Sequence, residues 1–100
     1  DDQKLSWIQT WCDRDRAQIK FPGHALLNRD DISQRVQEIS CPTLVIHGTD
    51  DQAIEITKAE AMAATLPNSD FLSIDGAPHG PNMTHSEIVN QKIRAFLTSC

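Results

Sequence analysis

Two neighbouring carboxylates follow a wholly apolar strand in the stretch "CPTLVIHGTDD", Cys41 to Asp51. Asp50 and Asp51 end this stretch, and His79 follows the next apolar run, 28 positions beyond the second of them. An aspartate that accepts a hydrogen bond from one imidazole nitrogen fixes the tautomer of the ring and leaves the other nitrogen free to act as a base. The residue types and their placement therefore indicate acid–base chemistry by one of the two carboxylates and His79.

The same residues also have ordinary structural explanations. An aspartate after a His-Gly pair is commonly a turn or helix-cap residue, and an isolated loop histidine is commonly solvated. We assign His24, His47 and His85 to that structural class, although His47 at the strand end is placed to line a pocket. A metal site is only weakly indicated, because His79 and His85 lack the i, i+4 spacing and no Cys-His cluster completes a ligand set.

Two strands must position these groups, and they are predicted at Thr43–His47 and Phe71–Ile74. The first has no polar face, which indicates a strand of a parallel sheet that helices cover on both sides. A helix-forming segment between the strands gives the order of a right-handed parallel unit. Parallel strands lie about 4.8 Å apart, so loops from the same sheet edge can bring an aspartate and a histidine into hydrogen-bond reach. The sequence therefore predicts an α/β fold.

Four helices are predicted around these strands. The first spans Leu5 to about Lys20, where the sequence "FPGH" ends it, and the second covers "DDISQRVQEI", with Asp30 or Asp31 as its cap. A third follows the acidic turn from Thr57, and a fourth begins near Thr84; each has capping-box spacing to a glutamate. The apolar stripe of the last helix consists of Ile88, Val89, Ile93, Phe96 and Leu97.

Length and charge exclude several classes of protein. A chain of 100 residues with a net charge of −5 is one domain at most and lacks the clustered cations that nucleic-acid binding requires. No apolar run approaches the roughly 20 residues of a membrane helix, and the acidic start "DDQKLSW" has no apolar signal core. Cys12, Cys41 and Cys100 form no disulfide framework, which indicates small buried or terminal thiols in a reducing compartment. We therefore expect a cytoplasmic protein without nucleic-acid or membrane partners.

The stretch from Cys41 to Asp51, followed by "ATLPNSDFLSIDGAPHGPNMTHSEIVNQKIRAFL", resembles the C-terminal part of an α/β-hydrolase. The resemblance is to the esterase, lactonase and cofactor-free haloperoxidase branch of that family. There, a segment that ends in G-x-x-D supplies the acid of a catalytic triad, and a G-A-x-H loop supplies the base. The resemblance assigns the acid to Asp51, three residues after Gly48, and the base to His79. Asp50 is expected to bond to its own turn, so that Asp51 makes the hydrogen bond to His79.

The resemblance covers roughly residues 25–97 and implies a fold. It indicates the C-terminal strand–helix–strand–helix part of an α/β-hydrolase, preceded by two helices. Residues 1–100 would form a single partial domain, in which 1–24 are the end of a lid segment and 25–100 are core elements. Trp7 and Trp11 lie where the family carries its lid, so they line an acyl pocket or simply belong to an amphipathic helix.

The resemblance also implies an activity, namely hydrolysis of small-molecule carboxylic esters or lactones by an acyl-enzyme route. His79 would act as general base and then as general acid, and Asp51 would orient it and stabilise its protonated form. No metal or organic cofactor is implied.

The family's nucleophile is a serine in a G-x-S-x-G turn, and no serine of this chain has flanking glycines in that pattern. Because the serine precedes the acid and the histidine in this fold, we expect it before Asp1. Two alternatives are open: a non-catalytic assembly or binding module that retains half of a hydrolase scaffold, and a small hydrolase with an improvised nucleophile such as Cys12 or Ser6. A monomer would leave a strand edge and two helix faces uncovered, which predicts a homodimer or larger oligomer formed through the strand edge or by helix exchange.

Overall fold

The computed structural model of the chain describes residues 2–100, which divide into two compact units. One unit ends at Asp31, and the other runs from Ile32 to Cys100 and contains both strands. The buried apolar residues all lie in the second unit: Val45, Ala59, Leu66, Ile74, Ala77 and Val89. The hydrophobic core of the described chain is therefore a property of the second unit.

Two α-helices and one 3₁₀ segment form the first unit. Their bounds are α1 Asp2–Cys12, the 3₁₀ segment Arg16–Ile19 and α2 Lys20–Leu27. The prediction of one helix from Leu5 to Lys20 is wrong in its second half. The carboxylate of Asp15 accepts a hydrogen bond from the amide of Ala17 at 2.9 Å, and this local bond starts a new 3₁₀ turn in place of continued α-helix.

The sequence "FPGH" lies inside α2, so the prediction that it ends a helix is also wrong. Pro22 is the third residue of α2, and the first backbone N–H groups of a helix have no partner within the helix. The missing N–H of proline therefore costs no hydrogen bond at this position.

The helices of the first unit bury no residues. Trp7 and Trp11 meet edge to face with ring centroids 6.2 Å apart, and both are well exposed. Their place in an acyl pocket stays a prediction. Other large apolar side chains of this unit are exposed as well: Leu5, Ile8, Ile19, Phe21, Leu26 and Leu27.

A 3₁₀-helix, Ser33–Glu38, precedes the first strand in place of the α-helix predicted over residues 30–39. Its N-cap is Ile32 rather than the expected aspartate. The side chains of Arg35 and Glu38 pair at 3.2 Å, and residues three apart eclipse in a helix with three residues per turn. This exposed pair is compatible with the 3₁₀ form.

Strands β1 (Thr43–Gly48) and β2 (Ser69–Ile74) form a two-stranded parallel sheet, in which Gly48 lies opposite Ile74. Helix α3 (Ile56–Thr65) connects them. The predicted strand–helix–strand unit and the α/β fold class are therefore confirmed, with each strand slightly longer than expected.

Side chains that alternate along the strands reach two separate clusters, one on each face of the sheet. The cluster on the α3 face consists of Val36, Val45, Ala59, Ala63, Leu66 and Phe71. The cluster on the opposite face consists of Ile46, Leu72, Ile74, Ala77 and Val89. Because both faces are covered, a strand without a polar face is what this position requires, as predicted.

Two helices follow β2, the short α4 (Pro81–Thr84) and α5 (Ser86–Ser99). Val89 is buried on the stripe of α5, whereas Ile88, Ile93 and Leu97 are exposed. The stripe is thus only partly covered by the described residues.

Both predicted capping boxes are wrong. The N-caps of α3 and α5 are Glu55 and His85, and neither side chain makes a capping hydrogen bond. Helix α3 begins one residue before Thr57, which places this threonine inside the first turn. The hydroxyl of Thr84 instead pairs with the Nδ1 atom of His85 at 2.8 Å.

The three cysteines are unpaired and exposed. The prediction of buried or terminal thiols is therefore wrong for Cys12 and Cys41. Cys12 ends a helix in the unit without buried residues, and Cys41 lies in a bend before β1. None of the helices in residues 2–100 has both the length and the apolar character that a membrane span requires.

Candidate active site

The site lies at the sheet edge where β1 and β2 both end. The loop after Gly48 carries the two aspartates, and the loop after Ile74 carries His79. Since the strands are parallel and in register at these two residues, both loops leave the sheet side by side. The pairing of the two strands alone therefore places the two loops next to each other.

Backbone hydrogen bonds join the two loops. The amide of Thr49 donates to the carbonyl oxygen of Ile74, and the amide of Asp50 donates to that of Ala77, each at 3.0 Å. The hydroxyl of Thr49 accepts from the amide of Gly76 at 2.8 Å, and Gly76 has a φ of +71°. A positive φ is a conformation that glycine adopts without steric cost, so this residue lets the second loop turn towards the first.

Asp51 is the central residue of the site. One carboxylate oxygen, Oδ1, accepts from the amides of Ala53 at 2.8 Å and Ile54 at 2.9 Å. The other oxygen, Oδ2, lies 2.9 Å from Nδ1 of His79. The side chain of Asp51 is only 4% exposed. Hydrogen bonds to both oxygens therefore fix a carboxylate that is almost entirely shielded from solvent.

The pKa of Asp51 is lowered from 3.8 to about 2. Burial acts in the opposite direction, because it disfavours the charged form. Hydrogen bonds from the amide of Ile54, the ring of His79 and the amide of Ala53 outweigh that effect. Asp51 is consequently an ionised acceptor at neutral pH, and the contact with His79 requires a hydrogen on Nδ1.

His79 presents its ring to solvent, with a side chain that is 67% exposed. When the neutral ring carries its hydrogen on Nδ1, the lone pair belongs to Nε2. The pair is thus arranged as a base whose orientation is set by a buried carboxylate. The predicted contact between Asp51 and His79 is present, and their catalytic role stays a prediction.

Asp50 is placed differently from what the sequence suggested. Its side chain is exposed, and its amide is the group that bonds to the neighbouring loop. The carboxylate that closes its own turn is that of Asp51, through Ala53 and Ile54. The expectation that the first aspartate would bond to the turn is therefore wrong, because Oδ1 and Oδ2 let Asp51 serve the turn and the histidine together.

His47 joins the site, and sequence reasoning missed it as a functional residue. Its Nε2 atom lies 2.9 Å from the carbonyl oxygen of Ile54 and 3.2 Å from Oδ2 of Asp51, and its side chain is 12% exposed. The one available signal was its position at the end of β1, four residues before Asp51. The remaining histidines do not join the site: His24 lies in α2, and His85 pairs with Thr84.

The described residues contain no group of three or more histidine, cysteine, aspartate or glutamate side chains arranged to hold a metal ion. Two histidines and one aspartate do meet at this edge, but Nε2 of His47 and Nδ1 of His79 both point a hydrogen at Asp51 or its loop. Donor hydrogens occupy the positions that metal-binding lone pairs would need.

Comparison with protein families identifies the chain. An α/β-hydrolase family model described as "TAP-like protein" matches residues 4–100. This chain belongs to the α/β-hydrolase family.

Individual relatives agree with this assignment. The chain is 37% identical over 76 residues to a non-heme chloroperoxidase of Streptomyces lividans, a match that covers 75% of this chain and 28% of the relative. It is 30% identical over 84 residues to a bifunctional esterase/perhydrolase of Acinetobacter calcoaceticus, covering 83% of this chain and 30% of the relative.

Solved structures show the same fold. A thermophilic esterase from Thermogutta terrifontis superimposes with a TM-score of 0.69 at 40% identity, over 72% of this chain and 26% of that one. A bromoperoxidase from Bacillus anthracis gives 0.66 at 31% identity, over 69% and 25%. The chain thus spans less than a third of the length of these relatives.

Proposed function

We propose that this chain supplies the acid and the base of a serine-hydrolase triad, Asp51 and His79, for the hydrolysis of carboxylic esters or lactones. The observation that carries the proposal is the 2.9 Å contact between Oδ2 of Asp51 and Nδ1 of His79. The two amides on Oδ1 support it further, since they fix the carboxylate in the orientation that an acid of a triad needs.

In this proposal, Nε2 of His79 removes the proton of a serine hydroxyl as the oxygen attacks the ester carbonyl. The protonated ring then donates that proton to the departing alcohol, which leaves an acyl-enzyme. Water enters and Nε2 takes one of its protons as the oxygen attacks the acyl carbonyl; the protonated ring then returns this proton to the departing serine oxygen, which releases the acid and regenerates the serine. Asp51 stays ionised throughout and stabilises the imidazolium that forms in both halves.

The nucleophilic serine is proposed to lie outside these 100 residues, in a segment that precedes the acid and the histidine. The coverage of relatives supports this, because the chain matches 28% to 30% of the length of the two curated relatives above. Residues 25–100 would then be C-terminal core elements, and residues 1–24 the end of a lid.

The substrate class rests on the names of similar proteins. They include the esterase/perhydrolase above and a pimeloyl-[acyl-carrier protein] methyl ester esterase of Xanthomonas axonopodis, 31% identical over 77 residues. Both names describe an esterase, which favours a small-molecule ester as the substrate of this chain.

Two samples test the proposal: the isolated 100-residue chain and the intact protein expressed from its gene. The chain alone is expected neither to hydrolyse p-nitrophenyl acetate nor to react with a fluorophosphonate probe, whereas the intact protein does both. In the intact protein, His79→Gln should abolish turnover, and His85→Gln, a control outside the site, should not. Probe attachment to Cys12 or Ser6 would instead identify an improvised nucleophile, and full activity of His79→Gln would refute the triad.

A second candidate function is a non-catalytic assembly or binding module, and the exposed apolar surface favours it. Large apolar side chains remain exposed in both units, including those on α5 of the second unit, and no large side chain among the described residues is fully buried. In this alternative the module works as a homodimer or larger oligomer. An intact protein with no hydrolytic activity and no probe labelling would support it.

A further inference from the structure

His47 makes two contacts through a single ring nitrogen. Nε2 lies 2.9 Å from the carbonyl oxygen of Ile54 and 3.2 Å from Oδ2 of Asp51. A carbonyl oxygen only accepts hydrogen bonds, so Nε2 must carry a hydrogen. The tautomer of His47 is therefore set by the loop that follows the acid: its one N–H is bonded to Ile54, and Oδ2 of Asp51 lies close by at 3.2 Å.

This arrangement closes a ring of contacts around the acid. Ile54 donates its amide to Oδ1 of Asp51 at 2.9 Å and accepts from His47 through its carbonyl group. Since His47 belongs to β1, these contacts connect the turn after Asp51 to the sheet. Oδ2 of Asp51 thus lies near two imidazoles: it is hydrogen-bonded to Nδ1 of His79 at 2.9 Å, and Nε2 of His47 is 3.2 Å away.

We propose that His47 is a positioning residue, which holds the carboxylate of Asp51 so that Oδ2 faces Nδ1 of His79. This inference rests on the proposed function, because it describes how the acid of the pair is oriented. His47 has no contact with a substrate in this role and acts through Asp51. Its side chain, 12% exposed, is well sheltered compared with that of His79, which is 67% exposed, and this suits a role through Asp51.

The tautomer of His79 is the property that this role controls. An Asp51 carboxylate held towards Nδ1 keeps the hydrogen there, and a carboxylate free to rotate lets the neutral ring move its hydrogen to Nε2. Nitrogen-15 NMR of the side chains measures both tautomers at about pH 9, well above the ordinary histidine pKa of about 6.5. His24, which is exposed in α2, provides a reference for an unconstrained ring in the same sample.

The experiment compares three changes in the full chain. His47→Gln keeps an N–H donor at nearly the reach of Nε2 and should leave the tautomer ratio of His79 unchanged. His47→Leu removes the donor and should lower the ratio of the Nδ1–H to the Nε2–H form measurably, by up to about fivefold, which is the limit set by one lost hydrogen bond of ordinary strength. His85→Gln is the control and should have no effect.

Two results would separate this inference from the proposed function. If the unmodified chain shows His79 without its hydrogen on Nδ1, the Asp51–His79 pair and the proposed function are both refuted. If that hydrogen is present but His47→Leu leaves the ratio unchanged, only the role of His47 is refuted. Should His47→Leu not fold, His47→Asn replaces it, since its shorter amide cannot reach Ile54; the same fall is expected, and an unchanged ratio overturns the inference.

Discussion

The α-carbon of Gly48 lies so close to the carbonyl oxygen of Ala77 that a β-carbon at position 48 would be 2.0 Å from it. The same oxygen accepts from the amide of Asp50 at 3.0 Å. The glycine at the end of β1 is thus what allows the acid loop and the histidine loop to touch.

We expect Gly48→Ala to lower the free energy of unfolding by about 3 kcal/mol, because the new methyl group meets backbone atoms that cannot move independently of the loop. Urea unfolding followed by circular dichroism measures the change. Gly23→Ala is the matched control: a β-carbon there has nothing within 4 Å, and the substitution in α2 should be neutral or stabilising by up to about 1 kcal/mol. Equal stability of the two variants would contradict the close approach.

Asp51→Asn should reduce ester turnover by the intact protein about 10³- to 10⁴-fold, because an amide nitrogen towards His79 favours the wrong tautomer. Asn retains an oxygen for the amides of Ala53 and Ile54, so the turn itself should survive. Asp50→Asn is the control, and we expect less than about a threefold change, since its side chain is exposed. A greater loss for Asp50→Asn than for Asp51→Asn would show that the acid has been misassigned.

The strands and their order could be predicted because an apolar run without a polar face indicates a strand that is buried on both sides. Thr43–Gly48 has no polar face, and the structure gives it one cluster on each side. Helix bounds were harder, since competing local bonds decide them. Asp15 starts a 3₁₀ turn inside the predicted first helix, and Thr84 pairs with His85 instead of capping α5.

The site was predictable where it follows from strand ends and not where it depends on the path of a loop. Asp51 and His79 each follow a strand, so topology alone brings them near each other. The contact of His47 with Ile54 requires the chain to turn back by seven residues, which no residue spacing specifies. The path of the same loop also decides that Asp51 bonds to the amides of Ala53 and Ile54 as well as to His79, so the spacing of residues did not predict it.

Thr49→Val should loosen the connection between the two loops. The hydroxyl of Thr49 accepts from the amide of Gly76 at 2.8 Å and donates to Asp75 at 3.4 Å, and valine keeps the shape without either bond. We expect a loss of about 1 kcal/mol and faster hydrogen exchange at the Gly76 amide. Thr98→Val, which removes a hydroxyl bonded within α5, should leave that amide unchanged. Unaltered exchange at Gly76 in Thr49→Val would show that the hydroxyl does not hold the loops together.

The stability of the chain should depend on the charge of Asp51 in acid. The pKa of this group is about 2 in the folded chain against 3.8 ordinarily, so the folded state binds its proton less readily than the unfolded state. The stabilisation is therefore complete above about pH 4 and disappears as the pH falls towards 2. Unfolding of the unmodified chain and of Asp51→Asn, measured from pH 5 to pH 2, should give stabilities that converge in acid. Lys92 lowers the pKa of Asp70 through a hydrogen bond, but this contribution is common to both chains and cancels. A stability difference independent of pH would contradict the assignment.

The last prediction concerns self-association of the chain. Each strand has one neighbour among the described residues, so each leaves a row of backbone groups on its other side. Ile88, Ile93 and Leu97 of α5 are exposed next to the buried Val89. Covering apolar surface contributes about 25 cal/mol per Å², and a second copy of the chain can supply that cover by pairing strands or exchanging helices. We therefore expect the isolated chain to sediment as a dimer or larger species at micromolar concentration. Leu97→Glu should weaken that association, and Thr98→Glu, its exposed neighbour, should do so less. A cooperatively melting monomer would mean that the described core is sufficient by itself.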